Sequence, residues 1–479
     1  MIGYIFNNSK AGKVGYSLPP SDVPKAELPK GLVNEKELDL PEVTEVEVVR
    51  HVTAMAKETY GVDTGFYPLG SCTMKYNPRI NEELAALEGF VNLHPDTPIE
   101  GCQGALEMMY NLDKYFCAIT GMDAFTLAPA AGAHGEMTGM SIIHQYHKSR
   151  GDTKRNKVLI PDSAHGTNPA SAVASGFETV TIPSNSSGGV DMDALDKNMT
   201  DEIAGLMLTN PNTAGIFDPN ICEIARIVHS RGGLLYYDGA NLNALMGISR
   251  PGDFGFDVVH LNLHKTFSTP HGGGGPGSAP VGVKDFLKPY LPVPHVAKNG
   301  DTYYFDYNMP KSMGRIRATW GNFLVLLKAY CYIRTMGPKG LKQASEHAVL
   351  SANYIRVKIN DLYPEGFPGL CMHECVMSGS PLKKFNVLTK DVSKRLMDYG
   401  FHPPTNYFPL IIPEAIMIEP TESESKEMVD SFIAAMRAIY KEAEEGKIDF
   451  SLTPLTKEVS RVDETKAART PILRWTKKA

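Results

Sequence analysis

The chain has 479 residues, with 48 basic and 54 acidic side chains and a formal charge of −6; this balance argues against a nucleic-acid protein, which carries a basic surplus or stripe. A hydrophobic fraction of 42% and a charged fraction of 21% are ordinary globular usage, which excludes disorder over most of the length, and 479 residues fit about three domains at ~150 each. No apolar run approaches the ~20 residues of a membrane helix, and the N-terminus has no basic start leading into an apolar stretch, so it is not a signal peptide. The seven cysteines are odd in number and scattered, which fits free thiols in a reducing, cytoplasmic setting better than a disulfide framework. Cys371 and Cys375 flank Met372, His373 and Glu374, but no second Cys/His pair stands at zinc spacing, so no metal site is expected.

In chain order, residues 1–40 are rich in Pro, Lys and Gly and read as an extended arm. Thr44 and Glu47 have capping-box spacing ahead of a helix over 46–60. Residues 61–78 are punctuated by Gly and Pro and form a long loop. From about 120 to 290 short apolar runs alternate with helical segments. Strands are predicted at 157–160, 178–182, 203–209, 233–238 and 258–263, and helices at 133–148 and 221–230. His144 and His147 fall on a helix face read as solvated. Strand, helix, strand across 203–238 is one βαβ unit with a right-handed crossover. The alternation predicts a doubly wound, mostly parallel sheet with helices on both faces. Beyond 320, helices at 322–336 and 341–362 lead into strands at 371–377 and 415–419. A helix at 425–445 follows, with Thr421 and Glu424 at capping-box spacing. The expected organisation is an arm and helix (1–60), a large α/β domain (61–320), a small C-terminal α+β domain (321–450) and a surface tail (451–479).

Lys265 directly follows an apolar strand, where α/β sheets bind ligands beyond the carboxyl ends of their strands. Partly desolvated there, its amine would become a nucleophile. Asp238 ends the preceding strand. A carboxylate and an amine at two strand ends are what pyridoxal phosphate requires: the lysine forms the imine, and the aspartate keeps the ring nitrogen protonated. Ala131, Gly132 and Ala133 open a helix whose free amides could hold a phosphate. His165, after the strand at 157–160, could stack on a planar cofactor, and Thr209 could reach a ring hydroxyl. Each feature alone is ordinary, a strand-end lysine or a turn-capping aspartate; their combination is specific. The glycine run from His271 to Gly277 permits close backbone approach or a hinge and matches neither a dinucleotide fingerprint nor a P-loop.

Several longer motifs carry a resemblance. They are YPLGSCTMK at 67–75, SAHGTNPASA at 163–172, DGAN at 238–241, RPGDFG at 250–255, HLNLHKTF at 260–267 and EPTESE at 419–424. From about residue 64 to 449 the chain resembles the P-protein family of the glycine cleavage system, the decarboxylating glycine dehydrogenases. The resemblance implies a type I pyridoxal-phosphate-dependent transferase fold, with Lys265 as the Schiff-base lysine, Asp238 at the pyridinium nitrogen and His165 stacked on the ring. It also puts Ala131, Gly132, Ala133, Thr209, Ala240, His264 and Thr266 around the cofactor. Ser71, Cys72, Thr73 and Lys75 are expected to bind substrate carboxylate or line a lipoyl channel. The implied reaction is glycine decarboxylation, with the aminomethyl group passed to the lipoyl arm of the carrier (H) protein and carbon dioxide released. The chain resembles only the lysine-bearing half of long-chain members. That implies a homologous, cofactor-free first subunit as partner, in a two-plus-two assembly. His134 departs from the pattern, since long-chain members carry Gln there.

Overall fold

The computed structural model describes residues 2–36, 38–273 and 277–474. Two compact units are present, Met1–Gly65 and Phe66–Ala479. In the first, a short turn at Ile5–Asn8 is the one regular element among the described residues before the helix Glu45–Glu58. That helix starts as its sequence dictates. The Thr44 hydroxyl accepts from the Glu47 amide, and the Glu47 carboxylate accepts from the Thr44 amide, closing a capping box. It buries none of its own residues, and Val46, Val49, Val52 and Met55 are exposed.

The second unit is built on a seven-stranded sheet. Its strands are β1 (Ala124–Thr126), β2 (Lys157–Pro161), β3 (Glu178–Ile182), β4 (Ile203–Thr209), β5 (Leu234–Gly239), β6 (Val258–Leu261) and β7 (Val281–Val283), in the order β1-β7-β6-β5-β4-β2-β3. From β3 to β6 all neighbours are parallel, and β7 is antiparallel to both of its own. Every residue of β4 and β5 is buried, as expected of central strands covered on both faces. On one face the helix Gly132–Ser149 sets Met140, Ile142 and Ile143 against Val158, Ile160 and Tyr236. Helices Gln103–Thr120 and Ile221–Ser230 pack with Leu206, Leu235 and Val259 in a separate core cluster. The expected doubly wound sheet is therefore present, and the five expected strands lie within two residues of their observed bounds. Strands β1 and β7 escaped the sequence reading because three residues carry too little periodicity.

A hairpin follows, β8 (His295–Asn299) with β9 (Thr302–Asp306). The two helices expected over 322–362 form one element, Phe323–Ile359, broken at Gly337 (φ 61°) just before Pro338. Its first part contributes Leu326, Ala329 and Ile333 to the large core. Its second part contributes Ala352, Ile355 and Ile359 to a smaller core with β10 (Cys375–Ser378), β12 (Ala415–Ile418) and the helix Lys426–Glu445. Strand β11 (Thr405–Asn406) completes that antiparallel sheet. The last long helix is capped by Ser425, which accepts from the Met428 amide. The expected Thr421–Glu424 capping box does not form, because Thr421 is left-handed (φ 64°) and its hydroxyl pairs with Ser423. The face carrying His144 and His147 is solvated as expected at His144, which is exposed, but not at His147. His147 is buried on the Ala204 carbonyl at 2.9 Å, and His144 contacts the Ser175 carbonyl at 2.8 Å.

Candidate active site

Strand register brings the central groups together. Thr209 on β4 pairs with Asp238 on β5, and Asp238 pairs with His260 on β6. Asp238 is 2% exposed. It accepts from Asn168 Nδ2 at 2.9 Å and from the Ala240 amide at 3.0 Å, and His260 Nε2 lies 3.4 Å away. Burial alone would raise its pKa. His260, Asn168, the Ala240 amide and the charge of Lys265 outweigh burial and hold the carboxyl below its ordinary value. The site thus keeps a buried, ionised carboxylate at the C-terminal end of a central strand. On its far side His260 Nδ1 is hydrogen-bonded to Tyr236 Oη at 2.8 Å.

Lys265 follows β6 by four residues and is half-buried. Its ammonium donates to the Ser71 carbonyl at 2.7 Å. Two members of the 71–73 loop are left-handed without being glycine, Ser71 (φ 62°) and Thr73 (φ 45°), a conformation that needs outside support. Buried carboxyl groups give it. Glu374 accepts from the Ser71 amide at 2.7 Å, and Glu419 accepts from the Thr73 amide at 2.9 Å and from the Thr73 hydroxyl. The Cys72 carbonyl contacts His271 Nε2 at 3.0 Å, and the Cys72 thiol is pushed up by burial. Lys75 stands apart from an anion-binding role. All three ammonium protons are used inside the fold, by Glu422 at 2.7 Å, Asn243 at 2.9 Å and Tyr332 at 3.1 Å.

The helix Gly132–Ser149 begins at Ala131 without a side-chain cap, so the amides of Gly132 and Ala133 point from a helix N-terminus with no internal acceptor. His134 accepts from the Ala130 amide at 3.1 Å, and burial keeps it below its ordinary pKa. Among the polar atoms near these strand ends that are buried without a hydrogen-bond partner are Thr209 Oγ1, Thr266 Oγ1, Asn262 Oδ1 and Glu136 Oε2. His264 is held down to about 3 by burial, His271 and Lys265; the two rings meet edge to face at 4.8 Å. His165 is exposed. Its Nδ1 pairs with Thr167 Oγ1 at 2.9 Å, which donates to Glu136 at 2.8 Å, and Phe408 packs against the ring edge-on. Within the glycine run, Gly274, Gly275 and Pro276 lie outside the described residues.

A family profile described as "Glycine cleavage system P-protein" matches residues 13–302, and one described as "Glycine dehydrogenase, C-terminal domain" matches 344–458. The chain belongs to the glycine cleavage system P-protein family. Among its relatives, the probable glycine dehydrogenase (decarboxylating) subunit 2 of Caldanaerobacter subterraneus subsp. tengcongensis is 59% identical over 477 residues, covering 99% of this chain and 98% of the relative. The protein of the same name from Listeria innocua is 56% identical over the same shares. A crystal structure of glycine decarboxylase (P-protein) in inhibitor-bound form superposes with a TM-score of 0.73 at 20% identity, covering 86% of this chain and 93% of that one. The fold is therefore the type I transferase architecture expected for a P-protein. For this P-protein the sequence reading missed Asn168, His260, Glu136, Glu374 and Glu419 as site residues. Asn168, His260 and Glu419 sit inside motifs already singled out, whereas Glu136 and Glu374 carry no strand-end signal.

Proposed function

We propose that this chain is the lysine-bearing, second subunit of a split glycine decarboxylase that uses pyridoxal 5'-phosphate. Decarboxylation of glycine is the reaction of the family to which it belongs. The single observation that carries the cofactor reading is the pair of side chains at adjacent strand ends, Lys265 as a half-buried amine and Asp238 as a buried carboxylate kept ionised. When bound, the cofactor supplies an electrophilic carbon for the substrate amine and a ring that accepts the electron pair left by departing carbon dioxide. Lys265 is positioned to hold that group covalently and to give way to the amine of glycine. Asp238 holds a proton at the ring nitrogen, backed by Asn168 and His260. The Gly132 and Ala133 amides suit its phosphate, and the orphaned hydroxyls of Thr209 and Thr266 suit its remaining oxygens. His165, oriented through Thr167 and Glu136, is the stacking residue, and Ala240 and His264 flank the same space.

The further partners belong to this proposal. The aminomethyl group passes to the lipoyl disulfide of a lipoylated H protein, which is reduced in the transfer. A homologous, cofactor-free first subunit completes the enzyme in a two-plus-two assembly. All seven cysteines are free, which suits a reducing compartment, and the cytoplasm is its proposed location. No described helix is long and apolar enough to cross a membrane. Exchange of labelled bicarbonate into the carboxyl of glycine, with lipoylated carrier present, is the direct test. Wild type should exchange, and Asp238→Asn should bind the cofactor yet lose exchange by orders of magnitude. Normal exchange by that variant would remove Asp238 from its role, and no exchange by wild type with both partners would overturn the activity.

A further inference from the structure

Beneath the 71–73 loop lie three ionisable side chains that the reaction above does not use. His373 and Glu374 lead into β10, and Glu419 follows β12; all three are fully buried. Strands β10 and β12 pair antiparallel with Cys375 opposite Ile418, so one further step of that register sets Glu374 opposite Glu419. An oxygen or nitrogen of each of the three lies within 4.8 Å of the others. Among the described residues no lysine or arginine pairs with either carboxyl; the ion-pair contact present is His373 Nε2, 3.8 Å from Glu419. Both His373 nitrogens lack a hydrogen-bond partner, and burial pushes that imidazole down toward its neutral form. Two ionised carboxylates this close and away from water, with no cation hydrogen-bonded to either and Lys265 acting only through its charge, repel each other strongly, and one of them takes up a proton.

We propose that Glu374 and Glu419 share a single proton, and that this singly charged pair is a positioning element that holds the Ser71–Thr73 loop against Lys265. Each carboxyl grips one strained loop residue: Glu374 through the Ser71 amide, Glu419 through the Thr73 amide and hydroxyl. Ser71 in turn accepts from Lys265. Burial and the neighbouring Glu419 both push Glu374 upward, in the same sense. The charged and titratable groups facing the pair are Lys265 and His271 after β6, Cys72 on the loop, His373, and Glu422. The shared proton stands on geometry alone; its effect on Lys265 rests on the proposed cofactor attachment.

Charge counting makes the test sharp. A pair sharing one proton carries one negative charge; either single glutamine variant also carries one, and the double variant carries none. Infrared spectra of the full chain, with carbon-13 glutamate to identify the bands, should show a carboxylic-acid carbonyl stretch at neutral pH. It should vanish in both Glu374→Gln and Glu419→Gln. Glutamine keeps an acceptor for the loop amides, and if one variant fails to fold the other still decides. Glu424→Gln is the control, because burial lifts that separate carboxyl to about 6. In the protein loaded with pyridoxal phosphate, the pH midpoint of the cofactor's absorbance change should stay put in each single variant. It should fall by about one unit in the double variant, since a lost negative charge beside Lys265 favours its neutral form. If neither variant changes the wild-type acid band, or if each single variant already shifts the midpoint, both groups are ionised and the proposal is overturned. A band that is only partly lost in each single variant would mean that each carboxyl holds its own proton, which also overturns it. An acid band that behaves as expected in a chain showing no cofactor absorbance would instead sink the cofactor reading and leave the shared proton standing.

Discussion

Lys265 donates a hydrogen bond to the Ser71 carbonyl and stands half-buried near His264 and His271, whose imidazoles burial pushes down. Lys265→Ala should abolish covalent cofactor attachment and nearly all glycine exchange, and borohydride reduction of wild type should label a peptide containing this residue. A label on any other peptide would overturn the assignment. Lys75 illustrates the opposite use of the same side chain. It is buried and paired with Glu422, and burial, which would lower its pKa, loses to that partner and to Tyr332, so it stays charged. Removing one member of a buried pair leaves an uncompensated charge, typically a loss of about 3–5 kcal/mol. Lys75→Met should therefore lower stability by about that much in denaturant titration, and adding Glu422→Leu should recover much of it. If Lys75→Met left the midpoint unchanged, the ion pair would not be supporting the loop.

Among the elements, β5 and β6 carry Asp238 and His260 and depend on close backbone contact. A Cβ on Gly239 would stand 2.0 Å from the His260 carbonyl oxygen, so β5 and β6 would have to part where Asp238 meets His260. Gly239→Ala should cost about 1–3 kcal/mol of stability and weaken cofactor binding, measured by thermal unfolding and by absorbance titration. The helix Gly132–Ser149 responds to pH. Burial holds the His147 imidazole below its ordinary value of 6.5, so the unfolded chain takes up the proton first. Its contribution is complete above about pH 6.5 and is lost as pH falls toward the folded value. The thermal midpoint of wild type should drop more than that of His147→Gln between about pH 7 and about pH 5; equal drops would remove His147 as the cause.

For the whole molecule, the N-terminal unit frames the question of assembly. Tyr16, Leu18, Leu28 and Leu32 are all at least two-thirds exposed, and fixing such a segment costs roughly 1–2 kcal/mol per residue in backbone entropy. A partner interface of ~2,000 Å² or more, of obligate-complex size, would offset that cost. Light scattering should find two copies of this chain with two of the proposed first subunit, and deletion of residues 1–40 should weaken that assembly before it changes cofactor absorbance. Full exchange activity by the lone chain as a monomer would show both partner and arm to be dispensable.

The sequence by itself determined what is local and what is written in unbroken motifs. The parallel strands were legible because short apolar or β-branched runs end at turns, and the first helix because Thr44 and Glu47 cap it. The places of Lys265, Asp238 and His165 at or just after strand ends were legible because a strand end is a place that can be counted along a chain. Tertiary structure decided whatever depends on two distant segments meeting. Only the antiparallel register of β10 and β12 sets Glu374 opposite Glu419, 45 residues later in the chain, and only their joint burial turns two ordinary glutamates into supports for a strained loop. The same holds for Lys75, a charged loop residue in sequence. It became structural because Asn243, Tyr332 and Glu422, each remote in the chain, converge on its ammonium. Spacing along one strand reveals which face a side chain occupies; what waits on that face is a property of the packed fold.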